Sequence, residues 1–172
     1  FQCRANDVLM LFSEQGGVYK LYLENIEYTT GKKVGEFIPT HFRQNDIDVV
    51  DIKFLEPDVT YIFCDDAGKV CMVDSNEFIT EKRKQKYVQN GFAGGSLVNS
   101  FAIPTSELDS KYLKATSLLG MKATVKLSDI LRKSRTAKTC VFAGNIDNIR
   151  KYELITLEEA ENYEVGKASA VK

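Results

Sequence analysis

The sequence predicts an all-β fold of about three four-stranded, propeller-like blades, and two observations carry the prediction. The chain repeats about every 52 residues, and each copy holds the same strand, glycine turn and second strand. The first copy opens Asp7-Val-Leu-Met-Leu-Phe-Ser-Glu-Gln-Gly-Gly-Val-Tyr-Lys-Leu. The second opens Asp58-Val-Thr-Tyr-Ile-Phe-Cys-Asp-Asp-Ala-Gly-Lys-Val-Cys-Met, and the third Lys111-Tyr-Leu-Lys-Ala-Thr-Ser-Leu-Leu-Gly-Met-Lys-Ala-Thr-Val. Ile26, Phe78 and Ile130 close the three hairpins at intervals of 52 residues.

Each element has its own signal. Val, Ile, Phe and Tyr dominate the strands, and a turn glycine follows, for which Gly17, Gly68 and Gly120 are the left-handed candidates. A third and fourth strand are read in each copy. They are Gly35-Glu-Phe-Ile with 47–54, a run near Gly91-Phe-Ala with 96–103, and Cys140-Val-Phe with 148–154. The blades then span about 7–57, 58–110 and 111–155 of a single domain covering 1–172. Phe1 to Asn6 is expected to add a strand to the first blade. Thr156 and Glu159 form a capping box for one short helix, with Gly166 at its stop and a tail to residue 172. A two-sheet sandwich shares the alternation, but it does not require charge to recur with the period.

Composition narrows the function classes. An apolar fraction of 44% supports a real core, and a net charge of −1 hides an uneven placing of 23 basic and 24 acidic residues. Glu81 to Lys86 holds four positive charges in six residues, and Arg132 to Lys138 four in seven. The recurring candidates for a phosphate-binding rim are Lys32 and Lys33, then Lys82, Arg83, Lys84 and Lys86, then Arg132, Lys133, Arg135 and Lys138. Thr30, Ser134 and Thr136 supply hydroxyl donors. Contacts of this kind hold duplex DNA without reading its sequence.

No enzyme constellation accompanies them. His41 is the only histidine, without a nucleophile elbow, and no GxGxxG or GxxxxGK[ST] occurs. Gly94-Gly95-Ser96 reads as a turn, and Asp65 with Asp66 as turn chemistry at a hairpin tip. Cys3, Cys64, Cys71 and Cys140 lack metal spacing. Cys64 and Cys71 read as buried small hydrophobes in a chain kept in a reducing cytoplasm. No catalytic residue, metal site or cofactor is therefore assigned. No apolar run approaches the length of a membrane span. Phe1 in place of an initiator methionine suits a piece of a longer parent.

The runs Val8 to Ile26, Val59 to Phe78 and Lys111 to Lys138, above all Ser117-Leu-Leu-Gly120 through Ser128-Asp-Ile130 to Arg135-Thr-Ala-Lys138, resemble the C-terminal domain of bacterial type IIA topoisomerase A subunits. These are the subunits of DNA gyrase and topoisomerase IV. The resemblance covers most of residues 7–155. It implies a β-pinwheel, in which neighbouring blades exchange a strand, and a basic perimeter that bends duplex DNA for a catalytic core. It also implies a parent that uses ATP and magnesium, a partner ATPase (B) subunit bound through other domains, and a nucleoid-associated place in the cytoplasm. The chain holds about three blades where the family has five or six. It has no QRRGGKG-like box, which favours the topoisomerase IV type over gyrase. The alternative is a propeller serving protein–protein interaction, although the WD40 and kelch types call for a tryptophan that this chain lacks.

Overall fold

In each copy the apolar runs fold into an antiparallel hairpin. β1 (Val8–Ser13) pairs with β2 (Gly17–Tyr22), and β4 (Val59–Asp65) with β5 (Lys69–Asp74). β8 (Lys111–Ser117) pairs with β9 (Lys122–Lys126). The structure, a computed structural model, describes residues 3–32, 34–80, 86–88, 95–134, 140–141 and 148–164, with backbone alone at 86–88, 140–141 and 162–164.

The three turns share one clamp. Side-chain oxygens of Ser13, Asp65 and Ser117 accept the N–H four residues on, from Gly17 at 2.9 Å, Lys69 at 2.6 Å and Met121 at 3.1 Å. Gly16, Gly68 and Gly120 hold φ at 76°, 75° and 79°, where a Cβ would be strained. In the first copy this corrects the expectation at Gly17. The left-handed residue is Gly16, because the Ser13 clamp makes Gly17 the first residue of β2.

An outer strand then returns beside the first strand of each hairpin: β3 (Val49–Phe54) on β1, β7 (Leu97–Pro104) on β4 and β11 (Ile149–Thr156) on β8. Each of these pairings slips register near the turn, at Phe12/Ser13, Cys64/Asp65 and Ile149/Lys151, so the bulge repeats with the blade.

The remaining strand crosses between copies. β6 (Lys86–Val88) leaves the second copy to pair with β2, and β10 (Cys140–Val141) leaves the third to pair with β5. The sheet orders are β3-β1-β2-β6, β10-β5-β4-β7 and β11-β8-β9, the exchange of a β-pinwheel. Four strands from within each copy is thus not the arrangement. The expected strand at Gly35 to Ile38 is replaced by irregular chain and a 3-10 turn at Ile38–Phe42, which Pro39 opens. Among the described residues the third sheet has three strands. The run near Gly91 and the helix stop at Gly166 lie outside the described residues. Residues 3–6 form no strand.

Exchange gives the middle hairpin two cores. Alternate residues of a strand face opposite sides. Tyr61, Phe63, Cys71 and Val73 join Met10, Phe12 and Val18 of the first blade. Ile62, Cys64, Val70 and Met72 join Leu113, Leu127 and Tyr152 of the third. Phe12 meets Phe63 edge to face at 4.9 Å. At the other end Leu9, Leu11, Tyr19 and Leu21 are covered by Phe42 and Ile38 of the first copy itself. α1 (Leu157–Glu164) starts as expected. Thr156 N–H donates to Glu159 Oε2 at 2.9 Å, and Glu159 N–H to Thr156 Oγ1 at 3.4 Å.

Candidate nucleic-acid interface

Blades join through a seam whose contacts repeat. Leu97 N–H donates to Glu14 O at 2.8 Å, and at the next seam Ile149 N–H donates to Asp66 O at 2.8 Å. Ser100 Oγ donates to Asp51 Oδ2 at 2.7 Å, and one blade on Tyr152 N–H donates to Asn99 Oδ1 at 2.8 Å. Lys20, 1% exposed, donates through Nζ to Phe78 O at 2.8 Å, while Met72, its counterpart in β5, accepts Lys133 N–H at 2.9 Å. Tyr152 also donates its hydroxyl to Asp65 O at 2.8 Å, and burial raises its pKa well beyond the ordinary phenol value.

The basic segments have a common place in the sequence of the copies. In the second copy the run lies between Phe78 and the exchanged strand β6; in the third it lies between Ile130 and β10. Lys32 has the same station in the first copy, after Ile26, and stands exposed in a turn. Lys86 opens β6. Arg132 bridges in parallel to Met72 and reaches Asp74 Oδ2 at 3.8 Å with half its side chain exposed. Lys133 is half-buried, held by its backbone bond to Met72. Lys33, Lys82, Arg83, Lys84, Arg135 and Lys138 lie outside the described residues, as does Thr136.

The other singled-out side chains have structural partners. His41 Nε2 lies 2.7 Å from Glu36 Oε2, and Glu36 also accepts Glu27 N–H at 2.5 Å, contacts that hold its carboxyl below the usual range. Asp66 Oδ1 accepts Ser96 N–H at 2.9 Å, as turn chemistry anticipates. Cys64 and Cys71 are buried, and burial pushes the Cys64 thiol up. Asp65 is buried with Oδ2 unbonded among the described residues, so desolvation raises its carboxyl despite the Lys69 N–H. A Cβ on Gly95 would stand 2.6 Å from that oxygen, which is why glycine is there. Among the described residues no group of three His, Cys, Asp or Glu is placed to hold a metal. None of their helices is long and apolar enough to cross a membrane.

The seam residues Lys20, Asp51, Asn99 and Tyr152 escaped the sequence reading. The one available signal was Lys20, a charge set inside the apolar run Val18 to Leu21.

Repeated hairpins and exchanged strands define a β-pinwheel fold. No protein-family model and no curated protein matches the chain. Solved structures do. The chain is similar to the C-terminal domain of DNA topoisomerase IV, at a TM-score of 0.74 and 16% identity over 88% of this chain and 48% of that one. It is similar to the E. coli ParC C-terminal domain, at a TM-score of 0.65 and 14% identity over 94% of this chain and 74% of that one. A DNA gyrase A C-terminal domain aligns at a TM-score of 0.51 and 13% identity over 91% of this chain. The chain thus spans 48% of the topoisomerase IV domain and 50% of the gyrase one.

Proposed function

We propose that this chain is a non-catalytic, DNA-holding C-terminal unit of a type IIA topoisomerase A subunit, topoisomerase IV in type. Its work is to bind duplex DNA without sequence preference and present it to a cleavage core for ATP-dependent strand passage. The observation that carries this reading is the common station of the basic segments. In the second and third copies the run falls, in sequence, between a hairpin anchor and the strand that crosses to the neighbouring blade, and Lys32 follows the first anchor at nearly the same offset, so charge recurs with the structural unit, as a phosphate track demands. The pinwheel fold shared with topoisomerase IV and gyrase domains supports the same reading. ATP, magnesium and the ATPase subunit belong to other parts of the parent, and the nucleoid is where such a unit works.

Titration of labelled random duplex tests it. Log K should fall with log salt at about 0.9 per phosphate neutralised. Replacing Lys82, Arg83, Lys84 and Lys86 together by Ala should weaken binding more than Lys32→Ala with Lys33→Ala, and should flatten the salt slope. Binding that ignores salt, or a quadruple variant that binds like the wild type, sinks the reading in favour of a protein-interaction platform.

A further inference from the structure

The two seams differ by one buried charge. The turn clamp sets Lys20 of β2 and Met72 of β5 in register, and the anchors that follow are Phe78 at the first seam and Ile130 at the second. At the first seam Lys20 Nζ donates to Phe78 O at 2.8 Å and lies 5.7 Å from the centre of the Tyr22 ring. At the second, Met72 puts a thioether where the ammonium would be, and Asp74 replaces Tyr22. Asp129 repeats Glu77 at the end of the 3-10 turn before each anchor. The second seam thus keeps the acid, gains a carboxylate and loses the cation.

That place is a groove of about 490 Å³ between the second and third copies. Met72, Leu108, Leu127 and Ile130 are buried beneath it, while Asp109 and Asp129 stand exposed along it. Both walls are built from described residues of adjoining copies. Arg132 also lines the groove, but its guanidinium reaches toward Asp74, at 3.8 Å, beyond hydrogen-bond length. One guanidinium therefore faces three carboxylates. Phosphate is disfavoured by that balance, whereas an aliphatic stem ending in a cation suits an apolar floor with an acidic lip.

We infer that this groove binds a primary alkylammonium group, which brings from outside the charge that Lys20 supplies within the first seam. Its stem lies along Met72 and Leu127, and its head meets Asp109, Asp129 and the Ile130 carbonyl, as Lys20 meets the Phe78 carbonyl. A free polyamine and the lysine of a partner polypeptide offer the same chemistry.

Amide NMR of the full chain, without DNA, tests this by titration with butylammonium chloride at constant ionic strength. The signals of Asp109, Asp129, Ile130 and Arg132 should shift and saturate, and butanol should not reproduce the shifts. Asp109→Asn with Asp129→Asn should weaken binding by about tenfold, with Tm unchanged because both side chains are exposed. Met72→Lys should fold, as Lys20 does at the first seam, and should abolish the shifts by bringing its own ammonium. Spermidine binding more tightly than a blocked Gly-Lys-Gly peptide assigns the site to a free amine; the reverse order assigns it to a partner's lysine. Shifts that do not saturate overturn the inference, as does an Asn variant that binds like the wild type. So does a Met72→Lys chain that unfolds or still takes butylammonium.

Discussion

The second and third hairpins have the same wiring and opposite surroundings. Every residue of β4 is buried, and Val70 to Val73 of β5 are buried; in β9 only Ala123 is. Tyr61, Phe63 and Ile62 have Leu113, Ala115 and Lys114 at the matching places. A repeated fold thus does not mean a repeated core. Blade-to-blade contact turns one hairpin into the molecular centre, and a hairpin with a neighbour on one side only carries lysines where the centre carries aliphatics.

The sharpest way to break the comparison is to hollow the centre. Phe63 sits at 1% exposure against Phe12, and Phe63→Ala should cost about 3–5 kcal/mol through lost burial and a cavity. Leu119→Ala, at the exposed turn of the third hairpin, should move stability by no more than about 0.5 kcal/mol. Urea midpoints of the two variants decide it; equal losses would mean that the third hairpin is buried in solution.

A smaller effect tests the seam. Lys20→Met keeps the buried stem but deletes the charge-assisted bond to the Phe78 carbonyl, worth about 1.5–3 kcal/mol. The loss should show as weakened hydrogen-exchange protection in β2, on the seam side. No change at neutral pH would mean that the ammonium is not needed to join the blades.

The turn clamp offers a comparison within one chain. Ser13 and Ser117 make it with a hydroxyl, whereas Asp65 makes it with a carboxylate whose second oxygen is unbonded among the described residues. The first blade has Ile47 where the second needs Gly95, so residue size covaries with the clamp. Burial raises the Asp65 pKa in the folded state above 3.8. The ionised form is therefore disfavoured by folding: the penalty is absent below the unfolded value and is complete once pH exceeds the folded one. Asp65→Ser should stabilise the protein by about 1–2 kcal/mol at neutral pH, with the gain vanishing as pH falls toward 4. A variant less stable than wild type at every pH would show that the carboxylate has a partner that matters.

Much of this was legible in sequence. The period, the hairpins, the outer strands and the capping box at Thr156 all follow from local patterns of apolar residues and turn chemistry. Which copy a strand pairs with did not. Three residues such as Lys86–Val88 carry no mark of their neighbour, and Gly35 to Ile38 reads as a strand until Pro39 turns it into a 3-10 segment. Runs of charge are visible in one dimension, whereas the seam is not, since Asp51 meets Ser100 across 49 residues.

The smallest expected effect concerns the lysines of the third blade. Lys114 lies almost buried, with Nζ 2.9 Å from Glu153 Oε2, and Lys151 meets Glu153 Oε1 at 2.7 Å. The hydrogen bonds from Lys151 and Lys114 lower the Glu153 carboxyl from 4.5 to about 2. A carboxyl depressed on folding contributes stability that is fully present above its unfolded value and is lost as pH falls from about 4.5 toward 2. Glu153 is a third exposed, so solvent screening limits the contribution to about 0.5–1 kcal/mol. Glu153→Gln should therefore lower the urea midpoint slightly at pH 7, and the two proteins should converge as pH approaches 2. Added salt should shrink the difference as well. A gap that persists unchanged in acid would assign the loss to packing of the side chain and not to its charge, and the third blade would then be held by the same apolar logic as the second.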